Sequence, residues 1–152
     1  VTHYMGGEHT NIELCDLIYS GSTYYLALTD ETGASGGDNV SVWSSTDLST
    51  WTQIGSDFET TSDVASVAVS VMGTATDGTQ AWVAVNDAGT VELWHYEDIA
   101  GGSSPSWRQV GATMTSAGTT YPVSIANAND GKTIAVAVGG SAGAKVRIWY
   151  NQ

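Results

Sequence analysis

Lys145-Val146-Arg147-Ile148-Trp149-Tyr150-Asn151-Gln152 has the pattern of a strand whose hairpin partner does not follow it. Two earlier segments of the same kind do have a partner. Asn39-Val40-Ser41-Val42-Trp43 leads into Trp51-Thr52-Gln53-Ile54-Gly55, and Thr90-Val91-Glu92-Leu93-Trp94 leads into Trp107-Arg108-Gln109-Val110-Gly111. A match for the missing piece stands at the other end of the chain. Val1-Thr2-His3-Tyr4-Met5 aligns with Ile54-Gly55-Ser56-Asp57-Phe58 and with Val110-Gly111-Ala112-Thr113-Met114. The chain therefore reads as three repeats cut out of register.

Each repeat divides into four short strands. The first has 12–18, 24–28, 40–43 and 51–54; the second has 64–71, 81–85, 91–94 and 107–110; the third has 121–126, 133–138 and 146–149. Ser20-Gly21, Asp77-Gly78, Asp130-Gly131, Asp87-Ala88-Gly89 and Gly139-Gly140 fall between them, and such pairs supply the positive φ angles that tight hairpins need. The separations from Met5 to Leu14, Phe58 to Val67 and Met114 to Val123 are nine residues each, which predicts one shared register. The strand tryptophans recur at 43, 94 and 149, separations of 51 and 55. A period near fifty predicts an all-β fold of three four-stranded, propeller-type blades, with a β-trefoil as the alternative. The boundaries are 1–5 for the fourth strand of blade three, 6–58 for blade one, 59–114 for blade two and 115–152 for blade three.

Composition narrows the partners. A chain of 152 residues with 41% hydrophobic content makes one domain with a real core. Four Lys plus Arg against sixteen Asp plus Glu give a formal charge of −12, which repels phosphate backbones and anionic bilayers, so neither nucleic acid nor a membrane surface is an expected partner. No apolar run approaches the ~20 residues that span a bilayer. Cys15 is single and sits in an apolar run, so a buried, inert thiol is expected and no intrachain disulfide can form. Val1 in place of Met is read as the start of a processed, secreted protein, and Asn39-Val40-Ser41 is a glycosylation sequon consistent with that location.

Strand alternation sorts the third strand of each repeat into two faces. Val40 and Val42, Val91 and Leu93, Val146 and Ile148 share one; Ser41 and Trp43, Glu92 and Trp94, Arg147 and Trp149 share the other. Tryptophans so placed either fill the space between sheets or form shallow sites where indole faces stack on sugars. In the second reading Trp43, Glu92, Trp94, Arg147 and Trp149 are the ligand-binding residues. Asp30, Glu31 and Asp38 bracket a Gly-rich loop of the kind that can hold calcium, but no metal or other cofactor is expected. Glu13 and Asp16 are the only acids expected near a central channel. The other carboxylates fall in turns, where solvated or capping roles are usual, so the chain is not expected to be an enzyme; a propeller glycosidase, which needs paired carboxylates, is the remote alternative.

The order Trp107-Arg108-Gln109-Val110-Gly111, Asn129-Asp130-Gly131, Ala135-Val136-Ala137-Val138, Lys145-Val146-Arg147-Ile148-Trp149 resembles the FG-GAP-type propeller repeats of extracellular proteins. The resemblance implies blades; the calcium role of some such repeats does not carry over, since the Asp-x-Asp-x-Asp-Gly run is absent. Ser45-Thr46-Asp47-Leu48-Ser49-Thr50-Trp51 is similar to the Asp-box turn of sialidase-like propellers, one residue short and with Ser49 where Gly is usual. That implies a hairpin element. Six-bladed fucose lectins built from short chains are similar in pairing Glu with Trp, here Glu92 and Trp94, but their second-strand Arg is matched by Ala27, Trp82 and Ala135.

Three blades cannot close a ring, which needs roughly four to eight. The expected remedy is exchange: Val1, His3 and Met5 of one chain pair with Val146 and Ile148 of the next. Two chains then make six blades, or an open filament if the rotation does not close. The expected function is an extracellular, non-enzymatic homo-oligomer that binds glycans weakly and multivalently. A structural subunit of a filament, sheath or surface layer is the alternative.

Overall fold

The computed structural model describes residues 12–31, 36–72, 80–97, 105–115, 119–128, 133–139 and 145–150. Among them there is no helix, and thirteen strands form three antiparallel sheets. The first sheet holds β1 (Ile12–Ser20), β2 (Thr23–Asp30), β3 (Asn39–Ser45), β4 (Thr52–Gln53) and β5 (Phe58–Glu59). The second repeats the plan with β6 (Val64–Met72), β7 (Gln80–Asp87), β8 (Thr90–Glu97), β9 (Trp107–Gln109) and β10 (Met114–Thr115). The third has β11 (Val123–Asn127), β12 (Thr133–Val138) and β13 (Lys145–Tyr150). The chain is all-β, as expected. Residues 1–5, with the interface positions Val1, His3 and Met5, lie outside the described residues, as do the Asp77-Gly78 and Asp130-Gly131 turns.

The turns that are described behave as their residues require. Gly21 and Ser22 have φ of 56° and 72°, and Ala88 and Gly89 have φ of 44° and 96°. Paired positive φ values are the twist-matched solution for two-residue hairpins.

The outer strand of each full sheet is broken in the same way. Trp43 pairs with Gln53 and Val40 with Phe58, so a step of three residues along β3 is matched by a step of five along the outer strand. Trp94 pairs with Gln109 and Val91 with Met114, with the same mismatch. Ile54 N donates to Val42 O at 2.8 Å and Val110 N to Leu93 O at 2.7 Å. The chain then leaves the ladder through Gly55 and Gly111, whose φ values are 71° and 72°. The third sheet pairs β12 with β13, and no strand flanks the other side of β13 among the described residues.

The sheets stack in chain order, with their first strands adjoining. One core lies between the first and second sheets, built on Ala27, Val40, Val42 and Phe58 from one side and Val67, Val69, Val83 and Val85 from the other. A second lies between the second and third, with Ala68, Ala84, Val91, Leu93 and Met114 facing Val123, Ile134, Val136 and Val138. β7 is buried at nearly every position because both of its faces are covered. β12 alternates buried with half-buried residues, because only one face is covered.

Two expectations change. The nine-residue register does not survive: with Trp43, Trp94 and Trp149 superposed, the ladders align Leu17 with Val69 and Asn127. Two residues earlier they align Cys15, Val67 and Ile125. Leu14 instead points to the second sheet, where it packs on the core. Irregularities at Ile12/Leu14 and Val64/Ser66 shift the register within the first strands of the first two sheets. Cys15 is exposed, not buried, because it falls on the uncovered face of the first sheet.

A Cβ on Gly55 would lie 2.7 Å from Tyr96 Cε2 and 3.2 Å from Trp107 Nε1, in addition to its unfavourable φ. Gly55→Ala is therefore expected to cost more than the ~1–2 kcal/mol of a left-handed non-glycine residue. Urea midpoints test this; a loss for Gly55→Ala below ~1 kcal/mol would contradict the packing argument.

Candidate functional site

Strand alternation places the residue two positions before each tryptophan on the same face, and the ring uses it. Trp94 Nε1 donates to Glu92 Oε2 at 2.9 Å, and Trp43 Nε1 donates to Ser41 Oγ at 3.0 Å. Phe58 of the first sheet stacks on Trp94, with centroids 4.3 Å apart and planes 22° apart, and also meets Trp107 at 5.2 Å. Trp107 Nε1 donates to Ile54 O at 3.0 Å, which ties the second sheet to the bend in the first. Trp94 is thus packed at the junction of two sheets, with Phe58 over its ring. Glu92 is buried beside it, and desolvation pushes its carboxyl above the usual range, partly offset by the indole donor.

Of the five predicted binding residues, Glu92 and Trp94 are brought together on the second sheet, while Trp43 stands on the first and Arg147 and Trp149 on the third. Trp43 lies on the uncovered face of the first sheet and is half-buried. The register sets Arg147 opposite Val136 and Trp149 opposite Ile134. Trp43, Trp94 and Trp149 are therefore the same position on three successive sheets. The sequence pointed to the tryptophans but not to Phe58, whose role is visible only in three dimensions. Val146 and Ile148 lie opposite Ala137 and Ala135, on the other face of the third sheet.

The carboxylates divide by burial in a way their turn locations did not announce. Asp38, Asp30 and Asp87 are buried. Asp38 Oδ2 accepts Val64 N at 2.8 Å, and its backbone amide donates to Thr60 Oγ1 at 3.0 Å. Asp87 Oδ2 accepts Thr61 N at 3.1 Å and the Thr61 hydroxyl at 2.8 Å. These bonds clamp the link from β5 to β6, where the chain passes between sheets. Burial raises the Asp38 carboxyl, the Val64 amide opposes it, and Asp63, Glu31 and Asp30 add like charge. Asp16 Oδ2 accepts Val69 N of the second sheet at 2.8 Å. Exposed Glu13 is also raised, mainly by its hydrogen bond with Glu31. Among the described residues no group of three His, Cys, Asp or Glu side chains is arranged to hold a metal ion, Asp30, Glu31 and Asp38 included. Asn39 begins β3 opposite Asp30 and Glu59, while the sequon's Ser41 is buried and holds the Trp43 indole.

The turn between β3 and β4 is a closed hydrogen-bond knot. Asp47 Oδ1 accepts Ser49 N at 2.7 Å, Thr50 N at 2.8 Å and the Ser45 hydroxyl at 3.2 Å, and Ser45 Oγ accepts Leu48 N at 2.9 Å. Leu48 takes a φ of 62° to close it. A shallow cavity of about 190 Å³ beside it is lined by Thr23, Ser44, Ser45, Thr46, Thr50 and Thr52. Amide donors hold the Asp47 carboxyl far below the usual aspartate range.

Trp94→Ala removes the ring that bridges two sheets and leaves Glu92 without its indole donor; a loss of about 3 kcal/mol is expected, measured by urea unfolding. The knot gives a pH signature. Because the folded Asp47 carboxyl lies below its unfolded value of ~3.9, its stabilisation is complete above that value and declines as pH falls through the folded one. Asp47→Asn is expected to lower Tm at neutral pH, with the gap to wild type narrowing below pH ~4. A gap independent of pH would contradict this.

No protein-family model matches the chain, and no curated protein matches its sequence.

Proposed function

We propose that each sheet is a propeller-type blade and that the chain is a non-enzymatic, extracellular module that works as a homo-oligomer. Residues 1–5 of one chain lie beside β13 of the next and supply the fourth strand of its blade three. The observation that carries this reading is the broken outer strand present in the first two sheets and missing beside β13 among the described residues. Phe58 lies opposite Val40 and Met114 opposite Val91, and by the sequence repeat Met5 would take the matching position opposite Val146. An open strand edge is an invitation to pair, and the repeat names the segment that fits it. Two chains would make six blades; an open series would make a filament, sheath or layer.

Asp16, Asp38 and Asp87 each accept a backbone amide, which favours a structural use of the acids over chemistry. Among the described residues no helix is long and apolar enough to cross a membrane. Glycan binding is the second reading, and it rests on Trp43, which is half-buried on the face of the first sheet turned away from the second. The hydroxyl-lined cavity at the β3–β4 turn adds polar groups that suit a neutral sugar. Trp94 serves this reading poorly, since Phe58 occupies its face. Extracellular placement and modification of Asn39 belong to the same proposal.

Light scattering of the intact chain and of a chain lacking residues 1–5 tests it. A dimer or longer assembly, lost on deletion, is expected. A monomer in both cases would sink the exchange, and glycan-array binding lost on Trp43→Ala by a monomer would put the second reading first.

A further inference from the structure

The first sheet has one face that its equivalent in the second sheet buries. On the first sheet Leu17 is 52% exposed and Tyr19 64% exposed; the equivalent Val69 and Val71 are 2% and 8% exposed. Cys15 is exposed where Val67 is buried. The difference has one source, because Val67, Val69 and Val71 are covered by the first sheet and nothing described covers Leu17. The third sheet shows the complementary gap. Ser124 and Ala126 are exposed and Ala135 and Ala137 half-buried, whereas Ala84 of the second sheet and Ala27 of the first are fully buried at the position of Ala135.

From this we infer that the open face of the first sheet, centred on Leu17, Tyr19, Leu26 and Trp43, is a docking surface for the open face of the third sheet of a second copy of this chain. The inference rests on the blade reading above and adds the surfaces that meet. The occupant is named by the two interfaces already inside the molecule. The first sheet covers the second with Ala27, Val40, Val42 and Phe58, and the second covers the third with Ala84, Val91, Leu93 and Met114. At the same positions the third sheet carries Ala135, Val146 and Ile148. The receiving side is equally repeated: Trp43 with its Ser41 partner stands where Trp94 stands with Glu92. A third interface of the same construction joins two molecules head to tail, with different patches on each side, and is therefore heterologous.

Leu17→Glu and Ala135→Glu test the two sides separately, and both positions are open enough in the single chain for the variants to fold, which circular dichroism checks. Each variant alone is expected to be monomeric by light scattering, with association weakened at least about tenfold. An equimolar mixture of the two is expected to recover a pair, since one wild-type face of each kind remains. Cys15 is expected to resist a thiol reagent in the wild-type assembly and to react in Leu17→Glu. If Leu17→Glu is monomeric while Ala135→Glu assembles normally, the first-sheet faces pair with each other and the inference is wrong; a mixture that stays monomeric also overturns it. If both variants assemble but deletion of residues 1–5 does not, strand exchange stands and the face contact falls. A monomeric wild-type chain with a reactive Cys15 removes both.

Discussion

A twisted β-sheet with apolar side chains on both faces must be covered twice, and this constraint orders the whole molecule. The second sheet meets it within the chain. Val67, Val69, Val83 and Val85 are covered on one side, and Ala68, Ala84, Val91 and Leu93 on the other, and all are buried. The first and third sheets are built to the same plan but are each covered once. Their uncovered faces differ: one carries Leu17, Tyr19 and Trp43, the other the small residues Ser124, Ala126, Ala135 and Ala137. Large against small is how the two internal interfaces interlock, as when Ala27 and Ala84 lie fully buried beneath the larger residues of a neighbour.

Inter-sheet polar bonds keep that stacking in register. Apolar packing alone would let the sheets slide, since it has little direction. Asp16 to Val69 N, Ser66 to Val123 N and Asn127 to Ser70 and Val71 give each neighbouring pair a fixed offset. The buried clamps at Asp38 and Asp87 do the same for the crossing between sheets, where Val64 and Thr61 would otherwise leave amides unpaired. These acids account for part of the negative charge without any need for an acidic ligand site.

Much of this was legible in the sequence because the strand tryptophans recur with a partner two residues earlier. That period located the three sheets and the alternation of each third strand. The split in the outer strand was visible only as Gly55 and Gly111, which read as strand ends. What the sequence hid was anything set by loop length. The links into the first strands take up a variable number of residues, so counting nine from Phe58 and from Met5 gave Val67 and Leu14, which point in opposite directions. Cys15 was misplaced for a different reason: its apolar run suggested burial, but it stands on the face of the first sheet that no described residue covers. The candidate site was legible as a repeated position and not as a pocket, because Phe58 lies far from Trp94 in sequence and covers it in space.

The two functional readings compete for one surface. On the proposed head-to-tail assembly the face around Trp43 would be closed, as the first sheet closes over Trp94, and a sugar at Trp43 would need that face open. A glycan site at Trp43 would then belong to a terminal subunit of a filament or to an unassembled chain, and a closed ring of two chains would have none. Charge decides how readily assembly occurs. A net charge of −12 on each chain opposes association at low ionic strength, and screening shortens the range of that repulsion to about 8 Å in physiological salt. In the proposed assembly, apolar contact between the first and third sheets of neighbouring copies would meet little opposition from salt, so added salt would shift the balance toward assembly and away from a glycan site at Trp43.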